Sequence, residues 1–339
     1  MITRKVKIGN IEIGGSNPLR IQGMLKTPIK DREGLKKEAR KLVCAGAEII
    51  RCAVEKKEDA EVIYSVLKDI GLPLVADCHF QESIVKAAFS AGFDKIRVNP
   101  GNMREDTVMK SVELAQKYGK ALRLGFNTGS CSAKGPVELA NLALKWDRRL
   151  INAGFKNFVV SMKSASVKET VESNRIFSTH SDTPLHIGVT ASGPSFEGLI
   201  KSSAGLGALL VDEVGDTIRV SVTGSSEKEV EAAVILKESI EGRNRKLEII
   251  SCPTCSRSRV DVLGLVERLI SDLSEEDLKK PLSVAVMGCE VNGPGEAARS
   301  DVGICGMKSS GMLIKKGNRI GKVDKKEIVD VLIREIRQL

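Results

Sequence analysis

Short apolar runs alternate with amphipathic stretches along the first two thirds of the chain. The runs fall at 19–24, 49–53, 73–77, 95–98, 121–125, 158–162, 185–190 and 217–222, and each predicts a buried strand. Between them, segments such as 31–45, 83–91 and 105–118 carry apolar positions at helical spacing. The pairs Ala45-Gly46, Ala91-Gly92 and Ala153-Gly154 predict glycine stops at helix ends. Eight strand–helix units over about 240 residues match the size of a (β/α)8 TIM-type barrel. A doubly wound open sheet is the rival architecture. The barrel is favoured because the count closes at eight and no Gly-rich dinucleotide turn follows the first strand. Ahead of the first unit, Val6, Ile8, Ile11 and Ile13 alternate around Gly9-Asn10 and predict a hairpin.

The pattern changes near residue 245. Strands are predicted at 247–251 and 283–287, with a helix at 259–273 between them. A hairpin is predicted from 312–314 and 320–323 around Lys316-Gly317-Asn318, and a closing helix at 325–339. The chain therefore divides into a barrel, 1–244, and a small α+β domain, 245–339. Its 339 residues exceed the usual span of one domain.

Composition narrows the function. Aromatic residues make up only 3% of the chain, which is thin for a nucleic-acid stacking platform. The net charge of +9 fits either a solvated basic surface or an anionic substrate or acidic partner. No apolar run approaches the roughly 20 residues of a membrane span. No secretory signal opens the chain, and a cytoplasmic location is expected. Eight cysteines then point to reduced thiols or metal ligands. Cys44, Cys52, Cys78, Cys131 and Cys305 lie among apolar or small residues and read as packing residues.

Strand interiors are normally apolar, because an unpaired buried charge is costly. Here the predicted strands carry Arg51, Arg97, Arg123, Lys163 and Arg219. In a barrel they would converge on the catalytic mouth and suit a ligand with more than one phosphate. The alternative is that each pairs with a carboxylate such as Asp77 or Asp94. Asn99, Asn127, Thr190 and Ser221 follow on the same strands as candidate hydrogen-bonding groups for ligand oxygens. His79 reads equally as a ligand contact or a structural residue.

The C-terminal domain holds a split ligand set: Cys252-Pro253-Thr254-Cys255, then Cys289 and Glu296 within Gly288-Cys289-Glu290-Val291-Asn292-Gly293-Pro294-Gly295-Glu296. Zinc prefers four Cys or a Cys/His mixture, and no His lies in this domain. Iron–sulfur clusters are usually held by Cys alone. An oxygen ligand at the fourth corner leaves one metal exchangeable, as substrate chemistry at a cluster requires. Cys305 is the competing fourth ligand; the Asn292-Gly293-Pro294-Gly295 turn favours Glu296.

These residues resemble the 4-hydroxy-3-methylbut-2-enyl diphosphate synthase family, iron–sulfur enzymes of the non-mevalonate isoprenoid pathway. The resemblance runs over nearly the whole chain. It is carried by Ala76-Asp77 with His79-Phe80, by Lys95-Ile96-Arg97-Val98-Asn99-Pro100-Gly101-Asn102, and by Lys201-Ser202-Ser203 with Gly205-Leu206-Gly207. Gly215-Asp216-Thr217-Ile218-Arg219-Val220-Ser221 and the two cysteine motifs complete it. It implies a 4Fe-4S cluster on Cys252, Cys255, Cys289 and Glu296, with Glu296 at the catalytic iron. It implies substrate contacts from Arg51, Arg97, Asn99, Arg123, Asn127, Lys163, Arg219 and Ser221. It also implies a homodimer in which one subunit's cluster domain covers the other's barrel mouth. The reaction would be reductive ring opening and dehydroxylation of 2-C-methyl-D-erythritol 2,4-cyclodiphosphate, with electrons from a ferredoxin or flavodoxin. Three segments depart from the family pattern: Met24-Leu25-Lys26-Thr27-Pro28, Ser164-Ala165-Ser166, and Thr190-Ala191-Ser192-Gly193, where Ala191 replaces a glutamate. The alternatives are a paralogous iron–sulfur reductase of another phosphorylated substrate, and a non-catalytic zinc or nucleic-acid binding protein.

Overall fold

The structure is a computed structural model that describes residues 2–79, 81–242 and 246–339. The chain forms two compact units, Met1–Ile240 and Glu241–Leu339. The boundary expected at residues 244 and 245 lies outside the described residues.

In the first unit β1 (Val6–Ile8) and β2 (Ile11–Ile13) form the expected antiparallel hairpin. Eight parallel strands follow: β3 (Arg20–Met24), β4 (Ile49–Val54), β5 (Leu74–Cys78), β6 (Lys95–Val98), β7 (Ala121–Asn127), β8 (Phe158–Lys163), β9 (His186–Ile187) and β10 (Thr217–Ile218). They run in the spatial order β8-β7-β6-β5-β4-β3-β10-β9. A parallel bridge between Val160 and Leu185 joins the two ends and closes the barrel.

Strand side chains alternate between two faces. One face is apolar: Ile50, Cys52, Leu74, Ala76, Ile96, Leu122, Leu124, Phe158 and Val160 join the large core with the surrounding helices. Cys52 and Cys78 belong to this core, and burial, then Asp77, push the Cys52 thiol up to about 12. The other face lines the barrel. At its N-terminal end, Val6, Ile8 and Ile13 of the hairpin pack against Ile49, Val75, Ala121 and Val159 and plug it.

The last two barrel strands are shorter than the apolar runs at 185–190 and 217–222 suggest. Pairing stops at Ile187 and Ile218. Just beyond Ile187 stands Gly188, where a Cβ would come within 2.6 Å of Lys163 Nζ. The chain leaves the sheet at the point where it makes room for that amine.

In the second unit β11 (Glu248–Ser251), β12 (Ser283–Met287), β13 (Val302–Gly306), β14 (Gly311–Lys315) and β15 (Asn318–Val323) form one sheet in chain order. The first three are parallel and the rest antiparallel. Lys316 and Gly317 both have positive φ (47° and 81°), the geometry of a tight twisted hairpin turn. Helices Val262–Asp272 and Ile328–Gln338 cover one face through Leu269, Leu332 and Ile336 against Val284, Val286, Val302 and Ile304. The short helix Gly293–Ala297 covers the other face, where Ala297 packs with Ala285, Met287 and Cys305. Strand β13 pairs Cys305 with Met287. Among the described residues no helix is long and apolar enough to cross a membrane.

Candidate functional site

Above the hairpin plug the lining of the barrel turns from apolar to cationic. Arg51, Lys95, Arg97, Arg123 and Lys163 are all buried there, with Arg219 just beyond β10. Register aligns Asp77 with Arg97 and Arg97 with Arg123 on successive strands. Asp77 is the carboxylate of this layer. It accepts from Arg51 Nη2 at 2.5 Å and from Arg97 Nη1 at 3.3 Å. Arg219 reaches Glu229 at 3.2 Å, and Glu229 also accepts from Lys26 Nζ and the Val222 amide at 2.8 Å each.

Carboxylate pairing therefore accounts for Arg51, Arg97 and Arg219. It does not account for the rest: among the described residues no carboxylate oxygen lies within 4.0 Å of Lys95, Arg123 or Lys163. Asp94 serves elsewhere, accepting from Lys120 and the Leu74 amide. Sealed nitrogens without a described partner include Arg51 Nε, Lys95 Nζ, Arg97 Nε, Arg123 Nε and Nη1, and His186 Nε2.

The electrostatics follow from this imbalance. Burial alone would push the Asp77 carboxyl up, but Arg51, His79 and Arg97 hold it well below the usual carboxylate range. Burial, then Arg123 and Arg219, pull the Lys163 amine well below its ordinary value. Burial, then Lys163 and Arg123, do the same to the His186 imidazole, whose Nδ1 lies 2.8 Å from Thr217 Oγ1. An added negative charge here would relieve mutual repulsion among the cations.

The candidate polar groups divide. Asn99 is occupied locally: its amide donates to Ser130 Oγ and its oxygen accepts from the Gly101 amide, both at 2.9 Å. Asn127 is half-buried beside Lys163 in register, and Ser221 is half-buried beyond β10, where its carbonyl accepts from Ser192. His79 Nε2 lies 3.0 Å from Arg97 Nη1, and its Nδ1 3.2 Å from Asn102 Nδ2. Lys95, His186 and Glu229 were not singled out as site residues in the sequence. Parity would have found Lys95, since it stands two residues before Arg97 and shares its face.

In the second unit a cavity of about 410 Å³ is lined by Cys252, Cys255, Cys289 and Glu296. The topology explains the meeting. Strands β11 and β12 are parallel neighbours, with Ser251 beside Val286, so Cys252 and Cys289 follow adjacent strand ends. The Gly288 amide donates to Cys252 Sγ at 3.1 Å. The amide of Val291, then that of Asn292 and the Arg257 guanidinium, hold the Cys289 thiol below its ordinary value despite some burial. Glu296 is exposed on the short helix Gly293–Ala297, so the expected turn is a single helical turn. Cys305 is fully buried on β13 behind Gly293, and burial pushes its thiol up to about 12. Among the described residues no three His, Cys, Asp or Glu side chains converge on a single metal-ion position. Three thiols and one carboxylate lining one cavity are a donor set whose chemistry fits iron and sulfide.

Comparison with known proteins follows the same division. Residues 3–234 match the GcpE TIM-barrel domain, and residues 248–338 match the GcpE protein C-terminal domain. The chain is 41% identical over 347 residues to the 4-hydroxy-3-methylbut-2-en-1-yl diphosphate synthase (flavodoxin) of Aquifex aeolicus (strain VF5), covering 99% of this chain and 96% of that one. It is 42% identical over 350 residues to the protein of the same name from Caldicellulosiruptor saccharolyticus, covering 100% and 99%. Among solved structures, a type I 3-dehydroquinate dehydratase from Clostridium difficile aligns with a TM-score of 0.53 at 18% identity, over 71% of this chain and all of that one. A dihydropteroate synthase from Yersinia pestis aligns at 0.52 and 16%, over 70% and 97%. These two likenesses concern the barrel fold alone. With both units matched by the family's own domains and full-length relatives near two-fifths identity, the chain belongs to the GcpE family.

Proposed function

We propose that this protein converts 2-C-methyl-D-erythritol 2,4-cyclodiphosphate to 4-hydroxy-3-methylbut-2-enyl diphosphate, using a 4Fe-4S cluster. The observation that carries the reading is the excess of buried cations over carboxylates inside the barrel. An interior so charged is stabilised by a multiply anionic ligand and by little else. The full-length relatives carry the corresponding activity in their names.

The reaction adds two electrons and one proton, opens one ring C–O bond so that its oxygen stays on phosphate as an anion, and releases the neighbouring hydroxyl, with that proton, as water while a C=C bond forms. In this account residues 1–244 bind the diphosphate. Arg97, Arg123, Lys163 and Arg219 meet its oxygens, and Arg51 adds charge from beneath. Opening the ring frees a phosphate oxygen, so negative charge grows where these cations are already fixed. Such preorganised groups cost no reorganisation when the charge appears. Asp77 keeps Arg51 and Arg97 in place, and Glu229 does the same for Arg219.

Residues 245–339 hold the cluster in this account. Cys252, Cys255 and Cys289 offer soft thiolates and Glu296 a carboxylate around one cavity. When bound, the cluster supplies the electrons. The donor is a flavodoxin, in keeping with the names of the relatives, and its acidic surface would suit a chain of net charge +9. The protein acts as a homodimer, to be tested by its mass in solution.

The experiment is anaerobic reconstitution, iron and sulfide analysis, and incubation of the cyclodiphosphate with a chemical reductant. The allylic diphosphate should form in proportion to cluster content. An intact cluster with no product would favour another phosphorylated substrate.

A further inference from the structure

Lys95 opens β6 with its side chain fully buried. Its Nζ is sealed from solvent and has no partner among the described residues. The charged groups facing the interior around it are Arg51 on β4, Asp77 on β5, Arg97 on β6, Arg123 on β7, Lys163 on β8, His186 on β9 and Arg219 beyond β10. The carboxylate among them, Asp77, is already engaged by Arg51 and Arg97.

An ammonium in such a place is costly, and an ionisable group there neutralises instead. Arginine keeps its charge, whereas a buried lysine gives up its proton readily. Among the sealed, unpartnered groups Lys95 is therefore the one that is charged in water at about pH 8 and can discharge, since an ordinary imidazole, such as that of the likewise sealed His186, is already neutral there. Burial, then Arg123 and Arg51, pull its amine well below the ordinary lysine value. Lys163 shares the tendency, but it stands at the end of β8 and its nitrogen is not among the sealed, unpartnered atoms.

We propose that Lys95 is a proton-coupled positioning residue of the phosphate site, uncharged in the ligand-free barrel and taking up one proton from solvent when the diphosphate binds. The proposal rests on the reading of the barrel as a cyclodiphosphate site. Two phosphate charges arriving above Arg97 and Arg123 offset the field that keeps the amine neutral. The new ammonium then adds a charge beneath the ligand. A cyclic diphosphate has one strongly acidic hydroxyl on each phosphorus, so it takes up no proton itself near neutral pH. Any uptake belongs to the protein.

The test is titration calorimetry of the holoenzyme with the cyclodiphosphate, without reductant, in two buffers of different ionisation enthalpy. At about pH 8, where an ordinary lysine stays fully charged, uptake approaching one proton per site is expected. Affinity should fall by up to roughly tenfold per pH unit on the alkaline side. Lys95→Met, which keeps the side-chain length, should abolish the uptake and flatten the pH dependence. Lys95→Gln repeats the test should the apolar side chain disturb folding. Binding without buffer dependence in the native protein would overturn the inference. So would unchanged uptake in the Lys95 variants, which would place the proton on Lys163 or His186. Absence of any binding would overturn the substrate reading as well, so the two failures are distinct.

Discussion

Arg97 and Arg123 stand opposite each other on adjacent parallel strands, both turned into the barrel and both buried. Arg97 has Asp77 and the Gly125 carbonyl beside it. Arg123 has no carboxylate within 4.0 Å among the described residues. Burial, then Arg51 and Arg97, work against its charge. Side-by-side buried arginines weaken a fold unless something anionic joins them. The pair is thus a cost to the ligand-free protein and an asset to the complex.

Arg123→Met separates those two effects. Losing one charge-assisted interaction should cost about 1.5–3 kcal/mol of binding, or roughly one to two decades in affinity. The ligand-free variant should melt no lower than the native protein, because an unpaired buried cation has gone. Melting curves with and without the cyclodiphosphate check both halves. A large drop in ligand-free stability with unchanged affinity would assign Arg123 a purely structural role.

Asp77→Asn should act in the opposite sense. It leaves Arg51 and Arg97 without their shared carboxylate, and breaking a buried pair costs about 3–5 kcal/mol. The sign of the pH dependence follows from the depressed carboxyl. Its stabilisation is fully present above the usual carboxylate range and is lost as pH falls through the lower folded-state value. The stability gap between native protein and variant should therefore stay constant from neutral pH down to about pH 5 and narrow below about pH 4. Chemical denaturation across that range measures it, and a gap independent of pH would contradict the pairing.

Glu229→Gln tests positioning at the rim. Glu229 receives Lys26, Arg219 and the Val222 amide, so the amide replacement keeps the shape and removes the charge. A looser Arg219 should raise KM by roughly one decade, the worth of one charge-assisted bond, with kcat changed far less. A fall in kcat at unchanged KM would mean that Glu229 acts in the chemical step.

The fourth cluster ligand is open to a paired comparison. Glu296 lines the cavity, and Cys305 lies sealed behind it with its thiol pushed up. Glu296→Ala should lower iron content or alter the spectrum of the reconstituted protein. Cys305→Ala should leave both unchanged. The reverse pattern would make Cys305 the ligand. Replacing Cys252, Cys255 or Cys289 by Ser should abolish the normal cluster signal.

Much of this was legible in the sequence, and the exceptions have physical causes. The strand–helix alternation gives the barrel because each apolar run is sealed against helices. The inner face was harder to read. Arg51 was expected at the barrel mouth, yet it lies in mid-strand at the level of Val75, deep in the barrel. Register between strands, which decides depth, is not written in any single run. His186 escaped notice because a lone polar residue in an apolar run gives no sign of how deeply it is buried, whereas Lys95 shares the face of Arg97 and was open to a parity argument. Glu229 sits in a helix far along the chain from Lys26, and only the closed barrel brings them together. The cysteine set was the reverse case. Its spacing was plain in the sequence, and parallel pairing of β11 with β12 gives the reason the motifs meet.

The most direct measurement is anaerobic single-turnover conversion of the cyclodiphosphate by the reconstituted protein, with product identity and electron consumption recorded together. The expected result is one allylic alcohol diphosphate formed for each pair of electrons taken from reduced flavodoxin or a chemical reductant. Arg123→Met should require far more substrate for the same yield. Reconstituted protein that carries its iron and sulfide, accepts electrons and leaves the cyclodiphosphate unchanged would contradict the account.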